Sequence, residues 1–263
     1  MFTNSFRPKL LCGSAIIACA LSAPAFAQST YISGSINLNS QSSSDNTGQT
    51  GAFTTGNLGD GSTLAVADGT DYGWNTEFDD GTAFGVEIGK RLGSGLRVAL
   101  EGVYSTADVD THTGVTLGGG SIDALDAASV AGSPTPLGAT VAQVVADGQG
   151  DIENTGIFAN VYYDFNQRGM LRPYLGAGIG FVDAKVDYSP SAVGIINDSE
   201  TNFSYQGKAG LTVDLDGPLE VFGEVTYRDM GNADLQNSLF PGSLKIENRQ
   251  TLFGAGVRYS FGG

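Results

Sequence analysis

The strongest constraint on this chain is an alternation of apolar and polar residues that recurs in eight segments. Alternation with a period of two is typical of a β-strand whose two faces meet different surroundings. In the third segment, for example, Leu96 and Val98 lie on one face and Arg97 lies on the other. Each segment is close to the roughly 9–11 residues that a tilted strand needs to cross a bilayer. The segments are 31–40, 82–92, 96–106, 155–165, 172–182, 203–215, 219–228 and 249–261.

The connections between these segments alternate between short and long. Three are tight turns rich in Gly, Asn, Asp and Pro, at 93–95, 166–170 and 216–218. The other four are long, at 41–81, 107–154, 183–202 and 229–247. Short periplasmic turns and long outer loops are typical of bacterial outer-membrane barrels. We therefore predict an all-β fold: an eight-stranded antiparallel up-and-down transmembrane β-barrel with long extracellular loops and short periplasmic turns.

Aromatic residues on the outward faces cluster at the two ends of the predicted barrel. Tyr and Trp are enriched where a membrane meets water. The turn end has Tyr163, Phe165, Tyr259 and Phe261, and the loop end has Tyr104, Phe203, Tyr205 and Tyr227. The alternative is a soluble barrel of lipocalin type, with its apolar face turned inward around a ligand. That alternative is disfavoured because it leaves the two-ended placement of the aromatics unexplained.

The first 27 residues have the composition of a secretory signal peptide. A cationic start with Arg7 and Lys9 precedes an apolar stretch at 10–23. Ala25 and Ala27 form an A-x-A cleavage site, which makes Gln28 the new N-terminus. We therefore predict two parts, a cleaved signal peptide at 1–27 and an outer-membrane β-barrel domain at 28–263.

Both cysteines of the chain, Cys12 and Cys19, lie in this leader. The mature chain is therefore expected to have neither a disulfide nor a thiolate metal site. Lipoprotein cleavage before Cys19 is an alternative, but it leaves a very short apolar core and ignores the site at Ala27. After residue 27 no uncharged apolar run reaches the about 18 residues of a membrane-spanning helix.

Composition excludes several classes of function. The formal net charge is −15, and a surface of this sign repels phosphate backbones, so nucleic acid is not an expected partner. The 39 glycines against 8 prolines, without a Gly-X-Y period, fit strands and turns rather than collagen. No pattern indicates a cofactor, and none is expected.

Three stretches resemble a known family. They are the terminal strand at 251–261 and the segments 160–165 and 172–180. They resemble the small Gram-negative outer-membrane barrels of the OmpA-like transmembrane domain and the opacity-protein-like porin family. The resemblance implies an outer-membrane location and recognition by the barrel-assembly machinery through outward Val257, Tyr259 and Phe261. This chain differs in that Gly262 and Gly263 follow the Phe that is usually terminal in the family.

The inward face of the predicted barrel carries many charges. Glu87 and Glu101 are equally distant from the turn at 93–95, so they face each other and need a cation, which Lys208, Arg97 or Arg258 could supply. Gly176, Gly178 and Gly180 leave room that Tyr162 and Phe222 are expected to fill. Arg91 and Glu220 share this face with the predicted lumenal charge network or gate, which consists of Glu87, Arg97, Glu101, Lys208, Glu224, Arg228 and Arg258.

Two readings of this charge network remain open. In one, the network closes the barrel at rest and conducts small ions when its ion pairs exchange partners. In the other, which we favour, the charges brace a permanently closed interior.

The outer loops offer no specific ligand site by sequence. They are acidic, but no D-x-D-x-D-G calcium loop is present and no metal site is expected. Thr135 is predicted to cap a helix that begins at Pro136. His112 is the only histidine, so an enzyme at the outer rim would depend on this residue, oriented by Asp108 or Asp110.

We therefore predict a monomeric, non-enzymatic integral outer-membrane β-barrel that acts as an envelope structural and surface-interaction protein. A narrow gated porin for small ions or solutes is the alternative. The expected partners are outer-membrane lipid, lipopolysaccharide, the barrel-assembly machinery and a host or environmental ligand at the loops.

Overall fold

The structure is a computed structural model that describes residues 30–261 of the chain. The leader with its cleavage site at Ala25, Ala27 and Gln28 lies outside the described residues, as do Cys12, Cys19, Gly262 and Gly263. The strands are β1 (Thr30–Gln41), β2 (Ser44–Thr50), β3 (Phe53–Thr54), β4 (Ala65–Val66), β5 (Thr70–Phe78), β6 (Gly81–Gly93), β7 (Leu96–Leu117), β8 (Gly120–Ser121), β9 (Gly150–Asp164), β10 (Leu171–Tyr188), β11 (Ile196–Asp214), β12 (Leu219–Gln236) and β13 (Gly242–Phe261). The helices are α1 (Ala128–Ala131), α2 (Val141–Val145) and a 3₁₀ turn at Pro190–Ala192. Within residues 30–261, no helix has the length and apolar character needed to span a membrane.

Eight long strands form a closed antiparallel ring. Its order is β1, β6, β7, β9, β10, β11, β12 and β13. β1 closes the ring by pairing with β13 from Thr30 opposite Phe261 to Gln41 opposite Gln250. Closure matters because lipid offers no hydrogen-bond partner to an open sheet edge. The predicted fold class is confirmed.

The barrel wall continues beyond the predicted strands at the loop end. β7 reaches Leu117, and β10 reaches Tyr188. β2 and β5, both inside the long connection predicted at 41–81, pair with each other and insert between β13 and β7. They continue the wall where β1 ends and β6 begins. The sequence did not predict them because these stretches are rich in Gly, Thr and Asp, which is typical of loops.

The outward face is apolar and aromatic, as the alternation predicts. Ile36, Leu38 and Val86 are at least 60% exposed. All eight aromatics of the two predicted girdles are exposed as well. Neighbouring aromatics on the same strand form edge-to-face pairs, with ring centroids 5.2 Å apart for Tyr163 and Phe165. This is the surface that meets lipid.

Bulky lumenal side chains pack over glycines at the register position on the neighbouring strand. A Cβ atom on Gly176 would overlap the Tyr162 ring, and one on Gly178 would overlap the amide of Asn160. Tyr162 therefore fills part of the predicted space. Phe222 does not, because its ring lies over Gly256 instead.

The prediction of a helix that begins at Pro136 is wrong. The structure places α2 at Val141–Val145, capped by Thr140, whose hydroxyl accepts a hydrogen bond from the Gln143 backbone N–H at 3.2 Å. Before it, the backbone N–H groups of Leu137 and Gly138 donate to the Asp126 carboxylate. Gly138 also has a φ of +77°, which ends any helical path from Pro136.

Replacing lumenal Gly178 tests the packing inside the barrel. We expect Gly178→Val to destabilise the barrel by about 1–3 kcal/mol, because the added side chain displaces Asn160 from its hydrogen bonds to Glu101 and Gln206. The matched control is Gly207→Val, whose Cβ meets open space on the outward face. The folded fraction after refolding into vesicles is measured by gel migration before and after heating. Equal losses in the two variants contradict the packing argument.

Candidate functional site

A buried ion-pair cluster lies across the middle of the lumen. Alternation on β11 turns Lys208 inward, where it is 6% exposed. Its Nζ lies 2.8 Å from Glu101 Oε1 on β7 and 3.0 Å from Glu224 Oε1 on β12. One ammonium group is therefore shared by two carboxylates from opposite sides of the barrel.

The two opposed glutamates have different hydrogen-bond and ion-pair partners. Glu87 on β6 is the register partner of Glu101 on β7. Glu101 accepts hydrogen bonds from Lys208, Asn160 and Gln206, each at 2.8 Å. Glu87 accepts instead from the hydroxyls of Tyr31, at 2.8 Å, and Tyr162. No salt bridge to Glu87 is formed within residues 30–261.

Arg228 joins this cluster through an amide. Its Nε and Nη2 donate to Gln206 Oε1 at 3.0 and 2.9 Å. Its guanidinium also lies 4.9 Å from the centre of the Phe158 ring. Because Gln206 in turn donates to Glu101, the arginine is linked to the carboxylate by one intervening side chain.

A second charge layer lies at the turn end of the lumen. Glu220 forms ion pairs with Arg91 at 2.7 Å, Arg172 at 3.1 Å and Arg258 at 3.1 Å. Arg258, one of the seven predicted network residues, therefore joins this layer rather than the central cluster. Three guanidinium groups around one carboxylate make this end of the lumen polar.

Arg97 is also in the turn-end layer. It is fully buried and pairs with Asp164 at 2.9 Å, and its guanidinium lies 4.4 Å from the centre of the Tyr162 ring. Asp164 and Arg172 are not among the residues predicted for the charge network. The alternation contains the signal for Asp164, because outward Tyr163 and Phe165 place Asp164 inward.

The charged part of the lumen contains almost no free space. Two cavities of about 10 Å³ each lie beside Lys208, Glu101 and Glu224. A volume of this size holds about one water molecule. Around Lys208, side chains therefore fill most of the lumen.

His112 lies above this closed region, at the loop end. It is 2% exposed, and its Nδ1 lies 2.8 Å from Thr76 Oγ1. A bulge at Asp110 in β7, opposite β5, reverses the alternation of inward and outward side chains. Asp108 and Asp110 are exposed, whereas His112, which follows the bulge, points inward. The two aspartates therefore do not orient the histidine. Burial lowers the pKa of His112 to about 4.

The remaining predicted site residues lie on the outer wall. Val257, Tyr259 and Phe261 are about half exposed on the outward face of β13. Across residues 30–261, no group of three or more His, Cys, Asp or Glu side chains is arranged to hold a metal ion.

Comparisons with known proteins were made for the sequence and for the fold. A family model described as surface antigen matches residues 27–239. A search of curated proteins gives no match.

Among solved structures, OprG from Pseudomonas aeruginosa has 14% identity and a TM-score of 0.50, with 89% of this chain and 96% of that chain covered. Neisserial surface protein A has 17% identity and a TM-score of 0.46, covering 88% and 97%. The outer membrane protease OmpT from Escherichia coli has 9% identity and a TM-score of 0.42, also covering 88% and 97%.

Removing the shared cation tests the energetics of the central cluster. We expect Lys208→Met to destabilise the barrel by about 3–5 kcal/mol, because Glu101 and Glu224 are left buried without a cation. The denaturant midpoint of the vesicle-embedded protein measures this change. Lys185→Met is the control, because Lys185 is about half exposed in its pair with Glu153 and should change stability by less than about 1 kcal/mol. Equal midpoints for the two variants contradict the prediction.

The buried histidine predicts a component of acid sensitivity. The pKa of His112 is about 4 in the folded chain against 6.5 in an unfolded one, so between these values the unfolded chain binds more protons. The free energy of unfolding therefore falls as pH decreases through this window, by about 2–3 kcal/mol between pH 7 and pH 4.5. Denaturant midpoints at both pH values should show this component in the parent and not in His112→Asn. An identical pH dependence of the two proteins contradicts the prediction.

Proposed function

Because the chain belongs to the surface antigen family of small outer-membrane β-barrel proteins, we propose that it is a non-enzymatic envelope and surface-interaction protein with a closed lumen. The observation that carries the proposal is the filled membrane-spanning half. Around Lys208, Glu101 and Glu224, only cavities of about 10 Å³ remain. Eight strands enclose an interior that side chains can fill, and this supports the proposal of a closed lumen.

The extended loop end supports a role at the cell surface. The wall built by β2, β5 and the outer halves of β7, β10 and β13 raises the loops above the bilayer. An internal cluster of buried apolar residues stabilises this extension, among them Tyr72, Trp74, Ile152 and Leu235. A rigid, raised rim presents a fixed surface to lipopolysaccharide or to a host or environmental ligand.

Export and assembly follow from the same proposal. The leader at 1–27 directs export and is removed after Ala27. Outward Val257, Tyr259 and Phe261 on the last strand present the assembly signal to the barrel-assembly machinery. The protein works as a monomer, which the closed ring supports because it leaves no free strand edge in the membrane.

A narrow gated porin is the second candidate. The observation that favours it is the shared cation, because Lys208 contacts both Glu101 and Glu224 and could move towards either. Exchange of ion pairs is a plausible basis for a pore that opens briefly.

Planar-bilayer recording of the refolded mature chain distinguishes the two candidates. We expect the parent to show no discrete openings, because its lumen is closed by side chains. Lys208→Ala is recorded beside it, with Lys185→Ala as the matched control at an exposed position. Gel migration before heating verifies that each barrel is folded.

Small discrete openings in the parent that change with Lys208→Ala, and not with Lys185→Ala, overturn the closed-lumen proposal and favour the porin. Silent, folded barrels in all three forms support it.

A further inference from the structure

A second internal space lies at the loop end of the barrel, separate from the charged lumen. It has a volume of about 270 Å³. Apolar side chains from the wall and from the covering loops line it, including Tyr72, Trp74, Leu117, Val141, Val145 and Phe240. None of the lining residues is charged. Since an apolar cavity of about 150 Å³ holds benzene, this space holds roughly ten non-hydrogen atoms.

The wall of this cavity includes three polar side chains that each have one buried atom without a hydrogen-bond partner: His112, Ser129 and Asn237. His112 and Ser129 both line it, and each is 2% exposed. Neither His112 Nε2 nor Ser129 Oγ makes a hydrogen bond. A buried polar atom left unpaired is unfavourable, so a ligand that supplies its partner binds more tightly.

The hydrogen bonds around Thr76 determine which atom of His112 carries the proton. Thr76 Oγ1 accepts from Asn46 Nδ2 at 2.6 Å and from Trp74 Nε1 at 3.2 Å. Its own proton is then available only for donation, and His112 Nδ1 lies 2.8 Å away. Nδ1 is therefore the acceptor, and in a neutral imidazole the proton is on Nε2. The unpaired group of His112 is consequently an N–H donor.

We propose that this cavity binds a small, uncharged and mainly apolar molecule that carries one oxygen acceptor, such as a carbonyl, for the Nε2–H of His112. The apolar lining supplies affinity through burial of the ligand's hydrocarbon. The imidazole supplies selectivity, because a ligand without the acceptor leaves its N–H unpaired. Ser129 offers a second polar group, a hydroxyl, on the cavity wall.

The charge distribution favours an uncharged ligand. An ionised group buried without a counter-ion is strongly unfavourable, and the cavity wall provides no cation. The chain also has a net charge of −15, which repels anions from the rim. The site is independent of lumenal conductance, because it lies above the charged layers and does not include them.

Three probes with nine non-hydrogen atoms each separate these features. Acetophenone has a carbonyl oxygen, isopropylbenzene replaces it with a methyl group, and benzoate is an anion. The protein is refolded into lipid nanodiscs, because free detergent chains compete for an apolar cavity. Trp74 is the only tryptophan and lines the cavity, so its indole N–H resonance reports binding.

We expect acetophenone to bind about five- to tenfold more tightly than isopropylbenzene, and benzoate not to bind. His112→Phe should remove the preference for acetophenone and retain isopropylbenzene binding. Val130→Phe, at the cavity wall, should weaken both neutral probes. Val225→Phe, the same change on the outward face, should weaken neither.

Absence of binding by all three probes to a folded barrel overturns the cavity assignment. Equal binding of the two neutral probes, unchanged by His112→Phe, overturns the role of the histidine. Preferential binding of benzoate overturns the requirement for an uncharged ligand.

Discussion

The need to pair every backbone N–H and C=O group inside a lipid bilayer determines the rest of this structure. β1 meets this need by closing on β13, from Thr30 opposite Phe261 to Gln41 opposite Gln250, so no strand edge is left open to lipid. With eight strands, closure also fixes a narrow interior. Every side chain on the inner face must then fit among its neighbours.

The interior is divided into layers of different chemistry. Towards the turn end, Glu220 is paired with three arginines. In the middle, Lys208 joins Glu101 to Glu224. Buried charges of this kind are costly to leave unpaired and contribute less to net stability than apolar packing would. Their arrangement here links strands that are far apart in sequence, as in the pair of Lys208 on β11 with Glu101 on β7.

The loop end has the opposite character. There the lumen is apolar, stabilised by residues such as Tyr188, Leu244 and Ile246, and it leads into a cavity without charged walls. The change from charge to hydrocarbon follows the position of the membrane. Inside the bilayer the outward face is apolar and the lumen is polar, whereas above the bilayer the extension must have an apolar core of its own to remain folded in water.

The sequence by itself determined the eight long strands of the ring, their faces, the alternation of turns and loops, and the positions of the aromatic girdles. These features depend on a local period of two and on the residue types found in turns. Both signals can be recognised within a short stretch of sequence. Even the inward position of Asp164 follows from this pattern.

Only the tertiary structure decided which inward residues meet. Arg258 pairs with Glu220, and Glu87 is held by tyrosine hydroxyls instead of a cation, because contacts across a barrel depend on how its strands are staggered. The bulge that turns His112 into the barrel arises from the pairing of β7 with β5. Such pairing joins segments distant in sequence, so no local pattern in either segment contains it.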